Sequence, residues 1–361
     1  MELTVKNDLV IGLMSGSSLD GLDLAACRFE QDGQGNWTYR IEVAETLSYT
    51  TEWYRKLSDA IHLNESDLQT LDRQYGQWLG QAVKIFCDQH SLKPGLISSH
   101  GHTVRHQPEQ GISIQIGSGD EIRKNCGIPV VCNFRYQDVL LGGQGAPLVP
   151  IGDELLFSRF GYCLNLGGFS NISWRNQGRR QACDLSLCNI LLNRLAEEKG
   201  LEYDESGELA RSGVLIQSLY DRWNSFPFFG MEAPKSLGRE WFESHYLADA
   251  DDPQWDTADK LRTATEHIAF QMASFINSHR VGKNDEILVT GGGAHNHFLM
   301  ERFAALLGPG LVPLIPDALL VSFKEALIFA FLGWLKIRGE VNVLASVTGA
   351  SHDHSAGDLY P

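Results

Sequence analysis

Residues 8–29 read DLVIGLMSGSSLDGLDLAACRF and contain the strongest fold signal of the chain. Two apolar runs, Asp8 to Met14 and Leu22 to Phe29, flank a turn of small, hydroxyl and acidic residues. A third run, Trp37 to Leu47, follows a turn signal at residues 32–35. Apolar runs separated by glycine-containing polar turns are typical of β-strands. We therefore expect a three-stranded meander at the start of the chain.

A related pattern returns in the second half. Tyr162 to Leu166 leads into the turn Gly167 to Asn171 and resumes as Ile172 to Trp174. A helix-like spacing of apolar residues follows each hairpin, with Ser66 as the expected N-cap of the first helix. Two hairpins that begin successive halves of one chain predict an α/β protein with two lobes of similar construction. Ligands usually bind in the cleft between such lobes.

Composition restricts the possible partners. The 361 residues carry a formal charge of -15, which repels nucleic acid and anionic membranes. The start lacks a basic region followed by a long apolar run, and the apolar stretch Ala326 to Leu335 is shorter than a membrane span. The seven cysteines include no Cys-x-x-Cys pair. We expect a cytoplasmic protein that binds neither nucleic acid nor membrane.

A third glycine element follows an expected strand at Glu286 to Thr290. Gly291, Gly292 and Gly293 there turn directly into an expected helix. A strand, a glycine turn and a helix N-terminus bring backbone N–H groups together, which favours nucleotide or phosphate binding.

The first turn has its own phosphate chemistry. Glycines allow close approach of phosphate oxygens, Ser17 and Ser18 offer hydroxyl donors, and Asp20 offers a carboxylate for Mg²⁺ through water. The alternative is an ordinary hairpin turn, because the same residue types favour turn geometry. The spacings of a P-loop and of a dinucleotide fingerprint are absent.

Motifs along the chain give a specific resemblance. They are Met14 to Asp23, Gly101 to His106, Gln115 to Gly117, Phe134 to Asp138, Gly142 to Leu148, Asn165 to Ile172, Pro234 to Glu240, Gly291 to Asn296 and Val347 to Ala350. In this order they resemble the anhydro-N-acetylmuramic acid kinase family from about residue 9 to the last residue.

The resemblance implies a fold and an activity. The family is similar to the sugar kinase, actin and Hsp70 group, a two-lobed actin-like or ribonuclease H-like ATPase fold in which each lobe is a mixed sheet flanked by helices. Lobe I would comprise residues 1–133 plus about 343–361, and lobe II residues 134–342. The reaction opens the 1,6-anhydro bridge of anhydro-N-acetylmuramic acid with water and transfers the γ-phosphoryl group of ATP to O6. The product is N-acetylmuramic acid 6-phosphate, in cell-wall recycling. The family also implies Mg²⁺ and a homodimer.

The resemblance further assigns site residues. The expected ATP-binding residues are Gly16, Ser17, Ser18, Leu19, Asp20, Gly21, Leu22, Asp23, Gly167, Gly168, Asn171, Gly291, Gly292, Gly293 and Asn296. The expected sugar-binding residues are His102, Thr103, Arg105, Arg135 and Gln144.

Two carboxylates are the expected catalytic groups. Asp184 occupies the position of the family's general base, which takes a proton from the attacking water; a helix cap is the alternative role. Glu325 matches a family glutamate near the sugar, or it complements the dipole of its helix.

Arg135 and the histidines have competing roles. The Arg135 guanidinium suits the lactyl carboxylate of a muramic acid, or it forms a structural ion pair with Asp138. His100, His102 and His106 present an alternative zinc site. His352 and His354 are expected to be solvated tail residues.

The chain departs from the family at three places. Leu185 to Cys188 replaces a Thr-Gly-Pro segment beside the base, while Asn133 and Ser118 stand where the family commonly has aspartate. A kinase of the same fold acting on another sugar or on a carboxylate, and a non-catalytic nucleotide-binding module of the actin or Hsp70 type, are therefore the alternatives.

Overall fold

A computed structural model of the protein describes residues 7–16, 19–280, 282 and 285–361. Two compact units divide the chain: the first comprises the residues up to Phe157 and from Phe323 onward, and the second comprises Ser158–Ser322. The strands are β1 (Val10–Ser15), β2 (Leu22–Gln31), β3 (Trp37–Leu47), β4 (Leu96–Gln107), β5 (Ile112–Ile116), β6 (Val130–Cys132), β7 (Tyr162–Leu166), β8 (Phe169–Asn176), β9 (Arg179–Leu187), β10 (Asp285–Thr290), β11 (Leu311–Leu314) and β12 (Asp358–Tyr360). The helices are α1 (Thr51–Ser58), α2 (Glu65–Gln89), α3 (Gly119–Cys126), α4 (Tyr136–Leu140), α5 (Pro150–Leu155), α6 (Asn189–Glu197), α7 (Glu208–Ser212), α8 (Gln217–Asn224), α9 (Arg239–His245), α10 (Leu247–Ala250), α11 (Thr257–Ser278), α12 (His297–Leu306), α13 (Ala318–Ile337) and α14 (Ala345–Thr348).

The first unit contains a mixed sheet with strand order β12-β6-β4-β1-β2-β3, and β5 pairs with β4. The strands β1, β2 and β3 form the expected antiparallel meander, because the turns between them are short. The strands β4 and β6 run parallel to β1, as crossover connections through helices require. Leu68, Tyr75 and Phe86 of α2 pack on this sheet in a shared core.

The second unit repeats this order with β11-β10-β7-β8-β9. The strands β7, β8 and β9 are antiparallel, and β10 and β11 run parallel to β7 and to each other. Three antiparallel strands followed by two parallel ones thus occur in both units. The α/β fold of two mixed sheets flanked by helices, expected from the paired hairpins, is confirmed.

The unit boundaries differ from the expected ones. Residues 134–157 and 323–342 belong to the first unit rather than to the second. Side-chain contacts explain the difference: Arg135 bonds to His100 of β4, and Phe331 of α13 packs against Phe29 and Trp37.

Helix starts also differ from expectation. The N-cap of α2 is Asn64, whose side chain accepts a hydrogen bond from the backbone N–H of Asp67 at 3.0 Å, and not Ser66. Asn caps a helix as well as Ser does, so the sequence pattern allowed either residue.

The apolar helix α13 is longer than the sequence predicted. Its 20 residues make it the one helix of the described chain that is long and apolar enough to cross a membrane, and two thirds of its apolar window is buried in the protein. It packs on β1 at Gly12, where a Cβ atom would lie 1.9 Å from the carbonyl oxygen of Ala326. Glycine at this point lets the helix backbone approach the strand closely, which makes α13 a core helix of the first unit.

Candidate active site

The predicted site residues divide between the two units. The first unit contains the first turn, all of the predicted sugar-binding residues and Glu325, while the second contains Asp184 and the other two glycine turns. Each group is therefore described within its own unit.

The first turn joins β1 to β2, and its residues Ser17 and Ser18 lie outside the described part of the chain. Leu19 adopts a left-handed conformation with φ of 61°, and its N–H donates to the carbonyl of Gly16 at 3.3 Å. Asp20 is exposed, while Asp23 accepts a hydrogen bond from the hydroxyl of Thr46 at 2.6 Å. Burial raises the pKa of Asp23, and the negative charge of Asp20 adds to the rise.

Two histidines of β4 organise the neighbouring segment. The Nδ1 atom of His102 lies 3.0 Å from the hydroxyl of Ser15, at the end of β1. Nε2 of His100 accepts hydrogen bonds from Nε and Nη2 of Arg135 at 3.0 and 2.9 Å. His100 Nδ1 lies 2.9 Å from the carbonyl of Gly101, so both of its ring nitrogens are occupied by protein groups and neither is free to bind zinc.

The Arg135 guanidinium is held by neutral groups. Besides its bonds to His100, its Nη1 donates to the carbonyl oxygen of Gly145 at 2.8 Å. Burial lowers the pKa of Arg135 to about 10, with Glu325 and Asp138 opposing the change, so the group stays charged at neutral pH. The expected direct ion pair with Asp138 is replaced by these bonds.

Asp138 instead organises the glycine loop at residues 142–147. Its carboxylate accepts from the N–H of Gly145 at 2.6 Å and from the hydroxyl of Thr348 at 2.7 Å. His354 is buried with Nε2 3.6 Å from Asp138, so the expectation of a solvated His354 is wrong, whereas His352 is exposed. The segment around His354 is therefore folded onto this loop. Its short polar sequence gives no sign of that contact.

The other predicted sugar-binding residues lie on the same unit. Arg105 donates from Nη2 to the carbonyl oxygen of Leu63 at 2.5 Å, which anchors it to the segment before α2. Thr103 is half-buried on β4, and Gln144 is exposed on the glycine loop, where its N–H donates to the carbonyl of Thr348 at 2.8 Å.

Glu325 lies in the third turn of α13, and burial raises its pKa. After burial, the largest effects on the pKa of Glu325 come from nearby charges. Lys324 lowers the pKa and Asp23 raises it, and smaller effects come from Arg135, which lowers it, and Asp153, which raises it. Because a helix dipole acts within the first turn, the alternative role of Glu325 as a dipole partner does not hold. Glu325 is thus coupled both to the first turn and to Arg135.

Asp184 lies in β9, opposite Asn171 of β8. Its N–H donates to the carbonyl of Lys235 at 3.0 Å, and its Oδ2 accepts from the N–H of Leu237 at 2.7 Å. Burial raises the pKa of Asp184 to about 6, and the bond from Leu237 opposes the rise. The alternative role as a helix cap is wrong, since Cys188 occupies the cap position of α6. A half-buried carboxylate with a pKa near neutrality suits a general base.

The second and third glycine turns meet. They follow the ends of β7 and β10, which are parallel neighbours, so both turns lie at the same edge of the sheet. Gly291 has φ of 84°, and a Cβ atom on it would lie 2.8 Å from the backbone of Leu166. A Cβ on Gly168 would meet nothing within 4 Å, which leaves space above that turn. Asn296 caps α12 by accepting from the N–H of Leu299 at 2.9 Å.

The divergent segment Leu185 to Cys188 connects Asp184, the predicted base, to the second glycine turn. It continues β9 to Leu187, and the N–H of Cys188 donates to the carbonyl of Gly168 at 2.8 Å. The N–H of Asn189 donates to the carbonyl of Gly167 at 3.1 Å. The base strand and the glycine turn therefore form one hydrogen-bonded element without the family's Gly-Pro.

Sequence reasoning missed a row of polar residues across the second sheet that includes Asp184, the predicted base. Thr290, Asn165, Asn171 and Asp184 are successive partners across β10, β7, β8 and β9, so they share one face of the sheet. Strand register creates this row, and the sequence signal is limited to the polar residues Asn165 and Asn171 in otherwise apolar strands.

Comparison with known proteins identifies the family of the chain. The family model described as anhydro-N-acetylmuramic acid kinase matches residues 8–361. A protein of that name from Actinobacillus pleuropneumoniae serotype 5b (strain L20) is 34% identical over 370 residues, covering 98% of this chain and 99% of the relative. Another, from Synechococcus elongatus, is 34% identical and covers 97% of this chain and 99% of the relative.

Solved structures with a similar arrangement are more distant. A ROK family glucokinase from Streptomyces griseus in complex with glucose and AMPPNP has 13% identity and a TM-score of 0.40, covering 89% of this chain and 97% of that one. The activator of 2-hydroxyisocaproyl-CoA dehydratase from Clostridium difficile with bound ADPNP has 13% identity and a TM-score of 0.43, covering 91% and 96%. The sequence matches over almost the full length are decisive, and the chain belongs to the anhydro-N-acetylmuramic acid kinase family.

Proposed function

We propose that the protein is an ATP-dependent kinase that opens 1,6-anhydro-N-acetylmuramic acid with water and phosphorylates O6. Family membership across residues 8–361 supports the activity. The observation that carries the chemistry is Asp184, a half-buried carboxylate with a pKa raised to about 6, beside the second glycine turn. The product, N-acetylmuramic acid 6-phosphate, would enter cell-wall recycling.

Asp184 takes the proton of the attacking water. As water adds to C1, the C1–O6 bond breaks, and O6 attacks the γ-phosphorus of ATP while ADP leaves. The N–H of Leu237 holds Oδ2 of Asp184, which leaves Oδ1 for the water. Because O6 gains negative charge as its bond to C1 breaks, no second base is needed at the acceptor oxygen.

Arg135 binds the lactyl carboxylate of the sugar. Its three hydrogen bonds, to His100 and Gly145, fix the plane of the guanidinium without neutralising its charge. A fixed, planar cation recognises a carboxylate with two parallel hydrogen bonds. Glu325 lies within the electrostatic reach of Arg135, and we assign it to positioning the sugar.

ATP phosphates bind at the glycine turns, with Mg²⁺ at the first. Burial raises the pKa of Asp23 and repulsion from the exposed Asp20 adds to the rise, so a cation beside these two carboxylates would be stabilised. Mg²⁺ is commonly held by one or two carboxylates together with waters and phosphate oxygens, which this pair fits. The ion would neutralise charge on the transferred phosphoryl group. The Gly167 and Gly291 turns would hold the remainder of the nucleotide, with Asn171 beside them.

The remaining assignments are a cytoplasmic location and a homodimer. The homodimer rests on the family alone, and the cytoplasmic location rests on the family and on the composition of the chain.

A product assay tests the function. Purified protein is incubated with ATP, magnesium and the anhydro sugar, and the product is analysed by mass in ordinary and ¹⁸O-labelled water. A product heavier by one water and one phosphoryl group, with the label at C1, is expected, and Asp184→Asn should abolish it. Phosphate gain without water would instead identify an ordinary sugar kinase. No sugar product despite ATP binding would overturn the proposal.

A further inference from the structure

We propose that Ser15, Tyr49 and Tyr75 fix His102 as the neutral tautomer that carries its proton on Nε2, which makes His102 a constant hydrogen-bond donor to an oxygen of the sugar. The identity of the ligand rests on the proposed function, whereas the tautomer does not. Ser15, Tyr49 and Tyr75 are positioning residues in this scheme, and none of them was singled out from the sequence.

Four side chains of the first unit form a hydrogen-bonded chain. The hydroxyls of Tyr75 and Tyr49 lie 2.7 Å apart, and the Tyr49 hydroxyl lies 2.7 Å from the hydroxyl of Ser15. The Ser15 hydroxyl lies 3.0 Å from Nδ1 of His102. The chain thus runs from the core beneath α2 to the end of β1, immediately before the first turn.

Burial determines the direction of the protons along this chain. Tyr75 has no exposed surface, so its hydroxyl proton needs an acceptor within the protein. If Tyr75 donates to Tyr49, Tyr49 donates to Ser15 and Ser15 donates to His102, every hydroxyl proton has an acceptor. The opposite direction is excluded because the Tyr49 hydroxyl is the donor in its bond to Ser15, so in its bond to Tyr75 it can only accept. Nδ1 of His102 is therefore the acceptor, and the proton of the neutral ring resides on Nε2.

His100, two residues earlier on β4, has the opposite tautomer. Arg135 has only donors, so Nε2 of His100 must accept, and Nδ1 carries the proton that is donated to Gly101. Burial lowers the pKa of His102 to about 4, and burial together with the charge of Arg135 holds the pKa of His100 well below its usual range. Both rings are neutral at physiological pH, but His102 carries its proton on Nε2 and His100 carries its proton on Nδ1.

The two histidines therefore contribute to sugar recognition in different ways. His100 holds the cation Arg135, which suits a carboxylate. The Nε2–H group of His102 is an uncharged donor without a hydrogen bond to a described residue, and it suits a hydroxyl, ether or amide oxygen. An imidazolium at either position would compete with Arg135 for the carboxylate.

Nitrogen NMR of histidine side chains tests the tautomers directly. The protein is labelled with ¹⁵N-histidine, and the signals of His100 and His102 among the 12 histidines are assigned with His100→Gln and His102→Gln. We expect a protonated Nε2 and an unprotonated Nδ1 for His102, and the reverse for His100. In Ser15→Ala, the His102 shifts should move toward the average of the two tautomers. A protonated Nδ1 on wild-type His102, or an unchanged tautomer in Ser15→Ala, would overturn the proposal.

Steady-state kinetics test the link to the sugar. Loss of one neutral hydrogen bond corresponds to about a 3- to 10-fold change in binding, so Tyr49→Phe should raise KM for the sugar by that factor. KM for ATP should stay within about twofold, since one such bond is removed from the sugar side alone. Tyr246→Phe is the matched control, because Tyr246 makes a buried hydrogen bond to His267 in the second unit.

The outcomes distinguish the two parts of the proposal, which are the tautomer of His102 and the sugar as its ligand. An equal rise of both KM values in Tyr49→Phe and Tyr246→Phe would indicate general destabilisation and refute the positioning role. Absence of sugar phosphorylation in the wild type, with the tautomers as expected, would refute the assignment of the ligand and leave the tautomers established.

Discussion

If Asp184 is the proposed base, the hydrogen bond that it accepts from the Leu237 N–H should set the acid limit of catalysis. Leu237→Pro removes this N–H while keeping an apolar side chain of moderate size. A hydrogen bond to a charged group contributes roughly 1.5 kcal/mol or more, which equals about one pKa unit. Since the bond favours the ionised carboxylate, its loss should raise the pKa of Asp184 from about 6 to ~7.

The sign of the effect follows from the role of the base. In the proposed mechanism only ionised Asp184 accepts the proton of water, so activity should fall as pH drops through its pKa. At pH 6.5 the ionised fraction changes from about three quarters to about one quarter, a roughly threefold loss of kcat/KM. At pH 9 both proteins are ionised, and the difference should vanish.

The assay is the pH profile of kcat/KM from pH 5 to 9 at constant ionic strength, with Leu237→Ala as the control that keeps the N–H. Recovery of Leu237→Pro at high pH separates a protonation effect from misfolding, because a misfolded protein would not recover. An acid limb identical in Leu237→Pro and Leu237→Ala would refute the reasoning.

Three further predictions address recognition, packing and nucleotide binding. Arg135→Lys should raise KM for the lactyl-bearing sugar roughly 10-fold or more by losing a bidentate pair, and it should leave any turnover of 1,6-anhydro-N-acetylglucosamine, which lacks the carboxylate, unchanged. Equal losses on both sugars would contradict the lactyl contact. Gly12→Ala should lower the free energy of unfolding by about 2 kcal/mol or more, measured by urea denaturation, because its Cβ would lie 1.9 Å from the α13 backbone. Gly33→Ala, whose Cβ meets nothing within 4 Å, is the control and should change it little. Gly291→Ala, at φ of 84°, should raise KM for ATP more than KM for the sugar, and the reverse order would argue against a nucleotide role for this turn.

Local pattern sufficed for strands β1, β2, β3, β7, β8 and β10 and for the faces of the long helices, whereas the other strands were not predicted. The face of α2 that contains Leu68, Tyr75 and Phe86 is buried, as its spacing predicts. An amphipathic helix buries its apolar face against the core, whichever element it contacts there. Element starts were less certain, since Asn64 and Ser66 cap equally well and only the folded chain selects one. The buried position of His354 depends on Asp138, more than two hundred residues earlier, and no local pattern contains that information.

The sequence by itself determined the two hairpins, the three glycine turns and the family, and it supplied Asp184 as the proposed base, because these depend on residue type and order along the chain. Only the tertiary structure decided that Leu237 bonds to Asp184, that Arg135 is held by His100 rather than by Asp138, and that Ser15 links His102 to two tyrosines. Each of these contacts joins segments that are distant in the sequence. Burial and strand register, which are properties of the folded chain, determine which of the many polar groups meet and which carry a proton.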